Sequence, residues 1–148
     1  RYALFRERSS ALASRSIRQT IPELAQRSLK KVSDSLKCEP AEWLGFICFY
    51  RSGELGDLNL VEKGVRTHVN IDPAELFARI LPLRPQGFIL FHNHPSGDTT
   101  PSPQDLHLTA QIRETSQAMG LFLIGHWVVS SQSNRWIDPD FAFKRRLG

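Results

Sequence analysis

Three observations predict an α/β (α+β) layered fold with a central sheet flanked by helices. First, three runs, Trp43–Tyr50, Gln86–His92 and Leu121–Ser130, are apolar almost throughout and short enough for strands buried on both faces. Second, helix-start signals fall between and before them: Thr20-Ile21-Pro22-Glu23, Asp72-Pro73-Ala74-Glu75 and Ser102-Pro103-Gln104-Asp105. Third, the chain has 148 residues and shows no repeat or low-complexity linker, which suits one layered core.

In chain order, residues 1–20 are rich in Arg and Ser without a sustained period, and read as a short helix or a loose arm. Thr20 caps a helix running to about Leu36, with Leu24, Leu29, Val32 and Leu36 as its apolar stripe. Trp43–Tyr50 is the first strand. Ser52-Gly53 and Leu55-Gly56 then turn the chain, and shorter strands are expected at Asp57–Glu62 and Arg66–Asn70. Asp72 caps a helix through about Leu81, and Gln86–His92 is the next strand. A helix opened by Ser102-Pro103 runs to Met119 and stops at Gly120, a C-terminal cap. Leu121–Ser130 follows, Ser131–Asn134 turns, and Arg135–Ile137 closes the set.

Charge is uneven. Residues 1–37 hold nine Lys and Arg against three Asp and Glu; the remainder holds ten against twelve. The chain therefore divides into a basic N-terminal helical segment, residues 1–37, and a nearly neutral main domain, residues 38–148. The basic segment is the candidate for nucleic-acid contact, against a plain solvated helix face. Cys38 and Cys48 are too far apart for a CxxC knuckle and too few for a disulfide framework. Cys48, inside the first apolar run, is expected as a buried free thiol. No apolar run approaches the roughly 18 residues of a membrane span, and no secretory pattern is visible, so a cytoplasmic protein without membrane association is expected. The first residue is Arg rather than Met, as in a piece of a longer chain. Oligomeric state is not legible.

The chemistry concentrates in Phe91–Asp105. Alternation along a strand sends His92 and His94 to one face, with Phe88 and Leu90 behind them. Pro95 keeps His94 extended and then ends the ladder. Ser102 as N-cap and Pro103 as N1 put Asp105 at N3, on the first turn of the following helix. Two imidazoles and a carboxylate from two rigid elements suit zinc, and three protein ligands leave one coordination position open. The bland alternative, a capping box that uses Asp105 only for the helix end, leaves two same-face histidines without a reason. Metal-assisted hydrolysis also needs a general base. No HExxH is present, and Glu42, just before the first buried strand, is the best candidate. His107 should face away from Asp105. His126 reads as a hydrogen-bonded core histidine, with a role behind a ligand as the lesser alternative, and Asp98 as a turn residue.

His92-x-His94, seven residues, then Ser102-x-x-Asp105 resembles the JAMM (MPN-plus) metalloprotease signature. The fuller string His92-Asn93-His94-Pro95-Ser96-Gly97-Asp98, followed by Pro101-Ser102 and Asp105, is similar to the RadC branch of that family, over about Glu42 to Ile137. The resemblance implies a JAB/MPN-like mixed sheet flanked by helices, related in architecture to cytidine deaminases, within residues 38–148. It implies His92, His94 and Asp105 as zinc ligands and Glu42 as the base, with Glu39 as the fallback. It also implies that Ser102 helps hold the oxyanion or the water; with Ser102 read as the N-cap as well, its backbone would cap the helix while its side chain faces the site. The function implied is a Zn2+-dependent hydrolase of amide bonds acting on a peptide or protein. The alternatives are a DNA-repair-associated RadC-type protein acting through DNA binding, and a metal-dependent nuclease. RadC-type proteins usually carry an N-terminal helix-hairpin-helix region, which residues 1–37 are too short to hold comfortably. The letters H-N-H are not an HNH nuclease motif, and no PCxxC supports a zinc deaminase.

Overall fold

Thr20 accepts the Glu23 backbone N–H while the Glu23 carboxylate accepts that of Thr20, a closed capping box that starts helix α1, Ile21–Leu36. In the computed structural model, residues 20–63, 71–140 and 142 are described. Beyond α1 the elements are β1 (Trp43–Phe49), β2 (Asn59–Lys63), α2 (Pro73–Ile80) with a 3-10 turn at Leu81–Leu83, β3 (Gly87–Asn93), α3 (Pro103–Met119), β4 (Phe122–Val129) and β5 (Asn134–Ile137). The expected N-terminal arm and the expected strand at Arg66–Asn70 lie outside the described residues. The strand expected over Asp57–Glu62 forms at Asn59–Lys63.

Among the described residues, five strands make one mixed sheet in the order β2-β1-β3-β4-β5. Only β3 and β4 are parallel, joined by a crossover through α3; the other neighbours are antiparallel. Alternation divides the sheet's side chains between two cores. On one face Leu44, Phe46, Cys48, Phe88 and Leu90 meet Leu76, Phe77 and Ile80 of α2 and Ile112 of α3. On the other, Ile47, Phe49, Ile89, Phe91 and Trp127 meet Leu24, Ala25, Val32 and Leu36 of α1. Both faces are covered, which is why β1 and β3 are continuously apolar. Burial pushes the Cys48 thiol up to about 11, an inert core thiol, and both cysteines are free.

Helix α1 shares a core with β1, β3 and β4, and the Trp127 indole N–H donates to the Ala25 carbonyl at 2.9 Å. The stripe it buries is Leu24, Ala25, Ser28, Val32 and Leu36, with Leu29 half-buried. Two of its cations serve the β1–β2 turn: Arg27 donates to the Gly53 carbonyl and Lys31 to that of Gly56.

The β3–β4 register breaks once. Phe88 pairs with Leu123, but Ile89 pairs with Gly125, so Ile124 is an extra residue in β4. Leu123 faces the α2–α3 core and Ile124 the α1 core. Gly125 points to the α1 side as well, since a Cβ there would overlap the Trp136 indole. His126 is thereby returned to the α3 side. No helix among the described residues is long and apolar enough to cross a membrane.

Candidate metal centre

The site lies where β3 ends against β1 and the first turn of α3. Pairing of Leu44 with His92, continued by two residues, sets Glu42 opposite His94. Asn93, which points to the other face, secures that approach. Its Oδ1 accepts the Trp43 N–H at 2.7 Å, and its amide donates to the carbonyls of Ala41 at 2.9 Å and Glu39 at 3.3 Å. The backbone is thus held on both sides of Glu42. Glu39, the fallback base, supplies only this carbonyl, and its carboxylate makes no contact with the histidines among the described residues.

His92 and His94 bring their Nε2 atoms to 2.8 Å from one another. The Asp105 carboxylate spans both, 3.2 Å from His92 and 3.2 Å from His94. Glu42 Oε1 lies 3.7 Å from His94 Nε2, and Glu42, His92 and His94 each offer a ligand atom within 4.8 Å of the others. Two carboxylates therefore reach the imidazoles, and their environments set them apart. Burial works against the Asp105 anion, but hydrogen bonds from His92 and His94 and from the Ser102 backbone hold it well below the usual carboxylate range. Glu42 is only 3% exposed, and burial raises it to about 7 against the pull of His94, with Asp105 adding to the rise. Its Oε2 is buried without a hydrogen-bond partner among the described residues.

The loop from Pro95 to Pro101 shapes the approach. Gly97, at φ +92°, turns it, and Thr99 meets Ser133 of the β4–β5 turn at 3.0 Å. Asp98 turns the chain through its side chain, which accepts the Thr100 N–H, while its carbonyl lies 2.8 Å from His94 Nδ1. A carbonyl only accepts, so His94 carries its proton on Nδ1 and, when neutral, leaves Nε2 bare. Burial lowers the His94 pKa, but the hydrogen bonds to Asp105 and Asp98 and the charges of Asp105 and Glu42 raise it overall. Two facing imidazole nitrogens, one firm anion and one orphaned carboxylate oxygen are a donor set that a cation satisfies.

Ser102 caps α3 with its side chain, not only its backbone as the sequence suggested. Its Oγ accepts the Asp105 N–H at 3.0 Å while Asp105 Oδ2 accepts the Ser102 N–H at 2.8 Å. Since the hydroxyl accepts in this contact, its proton is left to donate elsewhere. One hydroxyl can therefore serve both the cap and the site. His107 is exposed and apart from the cluster. His126 is wholly buried and 2.7 Å from His92 Nδ1. Sequence periodicity missed Asn93, the Asp98 carbonyl and Thr109, because each acts through a backbone or cross-element bond.

The family model described as a RadC-like JAB domain matches residues 22–137. The chain belongs to the RadC-like JAB domain family. Within it, a UPF0758 protein of Ruegeria pomeroyi is 45% identical over 67 residues, 45% of this chain and 30% of that protein. One from Picosynechococcus is 31% identical over 108 residues, 73% of this chain and 43% of the relative. One from Clostridium perfringens is 30% identical over 124 residues, 79% and 54% respectively. This RadC-like JAB domain thus spans between 30% and 54% of these relatives' length. The match begins inside α1, the helix that shares the sheet's core.

Proposed function

We propose that this domain is a zinc-dependent hydrolase of amide bonds in peptides or proteins. The observation that carries the reading is the meeting of His92 Nε2, His94 Nε2 and the Asp105 carboxylate, beside a second, buried carboxylate of opposite protonation tendency. His92, His94 and Asp105 would hold the ion; Glu42, titrating near neutrality, is left for proton transfer. When bound, zinc supplies Lewis acidity, lowering the pKa of water to about 7 and polarising a carbonyl. Glu42 accepts a proton from the attacking water and returns it to the departing amine, work for which a pKa near the operating pH is best. The Ser102 O–H donates to the oxygen that gains charge on the scissile carbonyl. Asn93 keeps Glu42 over His94 throughout.

Glu42→Gln should retain zinc and lose hydrolysis, whereas His94→Ala and Asp105→Ala should lose zinc. Elemental analysis after zinc supplementation, beside product mapping on a peptide library, checks both. A wild-type protein that takes up no zinc defeats the reading. Cleavage of DNA and of no peptide would replace amide hydrolysis with nuclease chemistry.

A further inference from the structure

We propose that Thr109 and His126 are positioning residues for the metal centre: with Asp105 they form a one-way hydrogen-bond relay that fixes a proton of His92 on Nδ1, so that Nε2, facing Asp105 and His94, is the nitrogen left to give up its proton to a cation. The inference rests on reading the cluster as a metal centre, but its first half concerns only this chain's own protons.

The direction of the relay follows from counting donors. Thr109 Oγ1 lies 2.8 Å from the Asp105 carbonyl oxygen, four residues back along α3. A carbonyl cannot donate, so the single hydroxyl proton sits between these two oxygens. Thr109 Oγ1 can then only accept from His126 Nδ1, 2.7 Å away, which must carry a proton. In a neutral His126 this leaves Nε2 as an acceptor. His92 Nδ1 lies 2.7 Å from it and so is the donor, and a neutral His92 is bare at Nε2. Reversing the chain would place two lone pairs against each other at the Thr109–Asp105 contact.

These groups are closed to bulk solvent: Thr109 and His126 are 0% exposed and His92 is 2% exposed. Enclosed between the Thr109 hydroxyl and the His92 ring, a charged His126 would bear the cost of burial uncompensated, so it is a neutral link. The relay also closes on itself. Asp105 contributes its carboxylate to one side of the His92 ring and its carbonyl, through Thr109 and His126, to the other. β3, β4 and α3 are thereby locked in one ring around a single imidazole. His94 has a separate device, the Asp98 carbonyl, so the two histidines are oriented independently.

The fold goes out of its way to deliver His126. With Leu123 on the α3 side, unbroken alternation would have sent residue 126 to the α1 side. The extra residue Ile124 corrects this, and Gly125 permits it by leaving room for Trp136.

The test uses the full chain as Thr109→Val, Thr109→Ser, His126→Phe and wild type, with two readouts. Nitrogen-15 NMR of the metal-free protein reports which ring nitrogen of His92 is protonated, and chelator competition reports zinc affinity. Expected are an Nδ1–H His92 in wild type and Thr109→Ser, and its loss in His126→Phe. Zinc binding should weaken by about tenfold to a hundredfold in Thr109→Val and His126→Phe, with wild-type affinity restored in Thr109→Ser. A wild-type His92 without a proton on Nδ1, or wild-type affinity in Thr109→Val, overturns the relay. A wild type that takes up no zinc defeats the metal-centre reading instead, and the NMR arm then still decides whether the relay sets the His92 proton. If His126→Phe does not fold, the Thr109 pair and the wild-type spectrum decide alone.

Discussion

Glu42 is held in the folded chain at a cost that depends on pH. A carboxyl that titrates near 4.5 when solvated and about 7 when folded binds more protons in the native state between those values. Its contribution to stability therefore declines as pH rises from about 4.5 to 7 and stays low above. At pH 8 the ionised, buried group destabilises the metal-free fold by about 3 kcal/mol. Glu42→Gln should accordingly make metal-free protein more stable than wild type at pH 8, by up to about that amount. The two should converge below pH 4.5, as urea unfolding across pH would show. Zinc should narrow the gap at pH 8, because a cation stabilises the ionised carboxylate. A Gln variant less stable than wild type at pH 8 would mean that Glu42 is already compensated. The proton-transfer role proposed for Glu42 would be drawn from this cost to the fold.

At the scale of elements, the site is made by where strands end and bend. β3 carries the two histidines to its C-terminal end, β1 brings Glu42 in at its start, and α3 opens with Asp105 in its first turn. The β4 bulge is the least obvious of these features and the easiest to break. Gly125→Ala forces a methyl into the Trp136 indole and should destabilise by about 1–3 kcal/mol, while loosening His126. Gly56→Ala is the control, since a Cβ there meets only ordinary contacts at 3.7 Å. Thermal unfolding of both should show the larger drop at residue 125. Equal melting temperatures would mean that Trp136 moves aside freely and that the bulge does not depend on glycine.

For the molecule as a whole, two helical layers cover one sheet, and neither is dispensable. Taking α1 away would uncover Ile47, Phe49, Ile89, Phe91, Ile124 and Trp127 together, an apolar patch that soluble proteins rarely expose. Deleting residues 1–37 should therefore yield aggregated protein or one lacking a cooperative unfolding transition, whereas the undeleted chain should unfold cooperatively. Circular dichroism melts and size-exclusion chromatography distinguish these outcomes. A well-folded product of the longer deletion would show that the α2–α3 face alone sustains the sheet. Any assay of the basic segment's role in binding nucleic acid should change the charge of exposed Lys30 rather than remove the helix.

Much of this was legible in one dimension because the signals are local. Apolar runs of strand length marked β1, β3 and β4. Thr20-Pro22-Glu23 and Ser102-Pro103-Asp105 marked helix starts, since capping needs only residues three apart. Strand parity alone put His92 and His94 on one face, and cap position put Asp105 at the opening of the next helix. What only the tertiary structure decided depends on register between distant segments. The pairing of β1 with β3 set Glu42 rather than Glu39 against His94, the extra residue in β4 turned His126 toward His92, and the packing of α1 made residues 21–36 part of the core. A one-residue change in register reverses every side chain beyond it. The side chains of the candidate site were therefore readable from the sequence, but the cross-element contacts around them were not.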